Sequence, residues 1–128
     1  MDAPEYLSAL PPRVAALVQI MHAMQAGATS EAQMMALFAE HAQYTEPFSG
    51  QSLTHIGREA IRQTFVQGWR NPLPQMHLEI ERFDISAHEV HVDWVCRSPA
   101  LPGGKGLGTN VFTLEAGQIV RLVTRLRQ

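Results

Sequence analysis

Cysteine is almost absent from this chain of 128 residues. Its one thiol, Cys96, excludes an internal disulfide and any metal site built from several cysteines, and on a strand it reads as a small buried hydrophobe rather than a nucleophile. Positive charge is also scarce. The formal net charge is -2, which gives no electrostatic reason to expect nucleic acid as a partner. No apolar run approaches the ~20 residues needed to cross a bilayer, so a soluble protein with no membrane partner is expected. Acids at Asp2 and Glu5, with no basic segment ahead of an apolar stretch, argue against a cleaved signal peptide and for a cytoplasmic location. His22, His41, His55, His77, His88 and His91 show no paired ligand spacing with an acid nearby, so no metal is expected.

The chain is 45% apolar and 17% charged, ordinary values for one globular domain spanning residues 1–128. Pro11 and Pro12 precede Val14, Leu17, Val18 and Met21 at helical spacing, with Gly27 as a stop: helix one. Ser30 and Gln33 form a capping-box signature, and Met34, Met35, Leu37 and Phe38 supply the buried side of helix two. Ala42 to Glu46 reads as a short strand ended by Pro47, and the Ser/Gly/Gln-rich segment from Phe48 to Ile56 reads as a loop. Gly57 leads into a third helix with Ile61, Phe65 and Trp69 on one face, stopped by Asn71-Pro72-Leu73-Pro74.

From there the period changes to two. Met76, Leu78 and Ile80 alternate with His77, Glu79 and Glu81, and Val90, Val92, Trp94 and Cys96 alternate with His91, Asp93, Val95 and Arg97. Pro99 to Gly108 reads as a hairpin connection. Its glycines precede a strand rather than the helix N-terminus that a phosphate loop requires. Thr109 to Leu114 and Gln118 to Leu126 form a last pair of strands around the turn Glu115-Ala116-Gly117. Helices followed by an antiparallel meander define the α+β class. Arg121, Arg125 and Arg127 share one face of the final strand and form a solvated or subunit-facing stripe. Val95 and Val123 among polar residues on an exposed sheet point to a homodimer.

Within this layout the most informative stretch runs from Leu37-Phe38-Ala39-Glu40-His41-Ala42 to Glu46-Pro47-Phe48, then Gly57-Arg58-Glu59-Ala60-Ile61-Arg62. It places the carboxylate of Glu46 where a strand meets a proline, at the mouth of a sheet closed by helices. A carboxylate in an apolar pocket is destabilised in its charged form and becomes a competent base near neutral pH. The bland alternative is an exposed strand-end acid that caps the loop. Tyr44, Phe65, Trp94, Cys96, Phe112 and Leu122 are the candidate pocket lining. A pocket wall and a plain core look alike in sequence.

Together with Asn110-Val111-Phe112-Thr113-Leu114-Glu115-Ala116-Gly117-Gln118-Ile119-Val120, these stretches resemble the SnoaL-like and ketosteroid-isomerase-like branch of the nuclear transport factor 2-like superfamily, over about residues 10–126. The resemblance implies a cystatin-like cone: three N-terminal helices packed on a curved, mainly antiparallel sheet. It also implies roles. Glu46 falls where the isomerases carry the aspartate that transfers the proton, before a proline. Asn110 falls where they carry a protonated aspartate that donates to the oxyanion, and asparagine can also donate. Their tyrosine on helix one would fall near Ile20 and their tyrosine on the third helix near Phe65, neither with a hydroxyl, so the chain departs from the isomerase pattern.

The resemblance therefore implies a cofactor-independent protein that binds a small hydrophobic carbonyl compound, polyketide-like or steroid-like, with isomerase, cyclase or dehydratase chemistry. The rival is a non-catalytic ligand-binding or dimerisation module of the same fold. An epoxide hydrolase of the limonene type would need an Asp-Arg-Asp set in the cavity. Asp93 and Arg97 lie on the wrong face for it.

Overall fold

A computed structural model describes residues 31–48 and 50–127. Helix one, with Ile20 and His22, lies outside the described residues. Among the described residues two helices and six strands run in the order α1 (Glu31–Ala36), β1 (Phe38–Glu46), β2 (Leu53–Ile56), α2 (Arg58–Arg70), β3 (His77–Ile85), β4 (Glu89–Arg97), β5 (Lys105–Glu115) and β6 (Gln118–Arg127). The strands form one sheet ordered β2-β1-β6-β5-β4-β3. Every neighbouring pair is antiparallel except β1 and β6, which run parallel. That pairing brings the start of the sheet beside the end of the chain.

Several boundaries differ from the expectation. Phe38 opens β1 instead of closing a helix, because it pairs with Ile119 of β6 and the Ile119 N–H donates to the Leu37 carbonyl. His41 therefore sits exposed on a strand. The expected loop from Phe48 to Ile56 contains β2, an edge strand paired with β1 from Gln43–Ile56 to Glu46–Leu53. The connection after β4 is shorter than expected, since β5 begins at Lys105 after a single turn at Pro102–Gly104. Sheet pairing outweighed the local glycine signal at Gly106 and Gly108.

The Gly57-Arg58-Glu59-Ala60-Ile61-Arg62 run has a mechanical explanation. Gly57 has a φ of 96° and its N–H donates to the Ala42 carbonyl, which starts α2 against the middle of β1. The Arg58 guanidinium donates twice to the Phe38 carbonyl, at 2.7 and 3.1 Å. Arg62 pairs with Glu59 and reaches Glu31 of α1 at 3.0 Å, while Ile61 is completely buried between these polar ties. The β5–β6 turn places Ala116 and Gly117 at φ values of 50° and 79°, the left-handed pair that suits a two-residue hairpin.

Burial follows the strand period. Phe38, Tyr44, Val90, Val92, Trp94, Phe112 and Leu122 turn to the inner face and pack with Met34, Ile61 and Phe65 of the helices. The outer face carries Arg121, Arg125, Thr109, His91 and Asp93. Val95 departs from the expectation of an exposed outer-face valine. It is 3% exposed, flanked in register by Glu79 and Leu107, with Arg127 reaching across to the Trp94 carbonyl.

Candidate functional site

Pro47 has no N–H, so the first amide available to turn back on the end of β1 belongs to Phe48. It donates to Glu46 Oε1 at 2.8 Å. The second oxygen, Oε2, accepts from His55 Nε2 at 3.0 Å. His55 is placed by β2: it lies directly opposite Tyr44 and diagonal to Glu46, on the inner face. The Glu46 side chain is 8% exposed and that of His55 24%, so the acid is enclosed and the imidazole forms the more open end of the pair.

Tyr44 adjoins this pair. Its ring stacks on Phe65 with centroids 5.2 Å apart and meets the His55 ring at 6.0 Å. Burial, reinforced by the nearby Glu46 charge and opposed by the Thr124 side chain, pushes the phenol well above its ordinary range. Tyr44 is thus a neutral hydroxyl beside a carboxylate. Further along the same face, Asn110 Oδ1 accepts from the Trp94 indole at 3.0 Å and from the Thr124 hydroxyl at 2.8 Å. These two donors decide the amide's orientation.

Gly108 makes that arrangement possible. It sits opposite Trp94, and a Cβ there would lie 2.1 Å from the indole Cζ2. Without a side chain at this position the ring lies flat across β5 and reaches Asn110. Cys96 shares the inner face but lies at the half-buried margin of the core, where burial pushes its thiol up and away from thiolate chemistry. Asp93 accepts from Thr109 on the outer face, away from Glu46. Among the described residues no cluster of His, Cys, Asp and Glu could hold a metal.

The sequence candidates Tyr44, Phe65, Trp94, Phe112 and Leu122 therefore meet in one buried cluster, with Cys96 packed against it. Glu46 and Asn110 are both buried, at 6% and 3% exposure. Two polar members were missed. In the sequence His55 stands out only for metal spacing, although Leu53-Thr54-His55-Ile56 has strand composition and a hairpin with β1 sets it opposite Tyr44. Thr124 was recognisable as the inward residue two positions after Leu122.

Residues 17–122 match the SnoaL-like domain. The chain belongs to the SnoaL-like family. Solved structures similar to this SnoaL-like chain share its NTF2-like fold. A candidate polyketide cyclase from Sinorhizobium meliloti is 19% identical with a TM-score of 0.73, covering 93% of this chain and 98% of its own. An NTF2-like protein of unknown function from Burkholderia pseudomallei is 18% identical with a TM-score of 0.76, covering 92% of each chain. TerC co-crystallised with polyporic acid is 15% identical with a TM-score of 0.73, covering 91% of this chain and 92% of its own. No curated protein matches the chain. No helix among the described residues is long and apolar enough to cross a membrane.

Proposed function

We propose that this SnoaL-like protein binds a small hydrophobic carbonyl compound, polyketide-like or steroid-like, and moves a proton on it with the Glu46–His55 pair. The observation that carries this reading is a carboxylate 6% exposed at the edge of an apolar inner face, bonded to an imidazole. Fixed donors and acceptors in a dry site act on developing charge more strongly than they would in water. Asn110, its amide oriented by Trp94 and Thr124, is the donor proposed for the substrate oxygen. A candidate polyketide cyclase and a protein co-crystallised with polyporic acid, both among the similar structures, support the ligand class.

The rival, a non-catalytic binding module, draws on the two bonds Glu46 already makes, which clamp β1 to β2. Glu46→Gln separates the two readings because it keeps shape and removes the acid. With a panel of enones and polyketide mimics, the proposal expects ligand density beside Glu46 and conversion lost in the variant while binding persists. Unchanged turnover in Glu46→Gln would leave the binding module as the better account.

A further inference from the structure

Both oxygens of Glu46 are engaged, one by the Phe48 N–H at 2.8 Å and one by His55 at 3.0 Å. A carboxylate oxygen only accepts, so the hydrogen in the second bond resides on His55 Nε2. In the neutral imidazole the lone pair then lies at Nδ1. Among the described residues Nδ1 has no hydrogen-bond partner, and no buried side-chain nitrogen or oxygen there is left unsatisfied. Nδ1 is therefore open to solvent or ligand. The same pair thus has one end locked and one end available, and the available end belongs to histidine.

We propose that His55 is the catalytic residue that takes the substrate proton at Nδ1, and that Glu46 is a positioning residue acting through Nε2. This rests on the proton-transfer reading above and assigns its roles. Nδ1 removes a proton from the carbon beside the substrate carbonyl; the C–H electron pair becomes a C=C bond and the carbonyl π pair moves to oxygen. Where the substrate carries a C=C beyond that carbon the product is a dienolate. The imidazolium, stabilised across Nε2 by Glu46, returns the proton to its far carbon as the oxygen pair re-forms the carbonyl and the double bond shifts. Atoms and electrons balance with no external oxidant or acid. An acid that fixes the tautomer of its imidazole and stabilises the imidazolium is the logic of a catalytic triad's third member.

Two measurements test this. Long-range proton–nitrogen NMR on the labelled wild-type protein is expected to show neutral His55 protonated at Nε2; a ring protonated at Nδ1 overturns the assignment without any variant having to fold. The second uses 5-nitrobenzisoxazole, a small apolar probe whose C3 proton is taken by a base as its N–O bond breaks to release a coloured phenolate. His55→Asn is expected to slow it at least about 100-fold, His55→Gly to regain rate with added imidazole, and Glu46→Gln to lose rate that imidazole does not restore. If both His55 variants match the wild type while Glu46→Gln is inert, Glu46 is itself the base: the inference falls and the proposed function stands. If the wild type gives no rate above buffer, proton transfer fails and the inference fails with it.

Discussion

The two faces of the sheet hold the same kinds of polar side chain under opposite conditions. On the inner face Glu46, Asn110 and Thr124 are buried, and each is matched to a specific donor or acceptor. On the outer face Arg97 pairs with Glu79 and Arg127 with Glu81, with at least one partner in each about half exposed. Exposed pairs contribute little, because water and salt screen them and ordering long side chains costs entropy. A buried group that loses its partner incurs the full cost of desolvation. The comparison teaches where a substitution should hurt, and it does not follow the number of bonds a residue makes.

The comparison breaks most readily at Asn110. Asn110→Leu keeps the branched shape but strips the acceptor from the Trp94 indole and the Thr124 hydroxyl, and urea unfolding should record a loss of about 3 kcal/mol. Gly108→Ala attacks the same contact from outside. Its Cβ would meet the indole at 2.1 Å, forcing Trp94 off Asn110 at about 2 kcal/mol, seen in denaturation and in Trp fluorescence.

Tyr44 sharpens the comparison through pH. Its phenol is held above the ordinary value of 10.0, first by burial, so above that pH the unfolded chain releases a proton that the folded one keeps. Stability is intact below about pH 10 and falls as pH rises beyond it, by up to about 1.4 kcal/mol per pH unit. Tyr44→Phe should flatten that decline in melts recorded from pH 9 upwards. At the small end, Arg97→Ala on the outer face should change stability by less than about 0.5 kcal/mol. A larger loss there would show that the outer pairs are not screened as supposed.

How much of this was legible depends on whether the signal was local. The helix with Ile61, Phe65 and Trp69 on one face, the alternation through Leu78, Ile80, Trp94 and Cys96, and the turn at Ala116-Gly117 all follow from periods and turn residues. What stayed hidden was pairing between distant segments. β2 lies behind a polar run, and its four residues stand out as a strand only once β1 is set beside them. Phe38 reads as a helix residue until Ile119 is seen beside it. The site shows the same division. Glu46 stood out through its proline and its resemblance, while His55 became visible only when the hairpin set it opposite Tyr44.

The account depends on Glu46 and His55 forming one coupled, largely enclosed unit, unlike the pairs outside. A double-mutant cycle on folding stability with Glu46→Gln and His55→Gln, run beside one with Arg97→Ala and Glu79→Ala, measures this directly. The account predicts a coupling of about 1–3 kcal/mol for the inner pair and under about 0.5 kcal/mol for the outer one. Additive effects at Glu46 and His55 would contradict it.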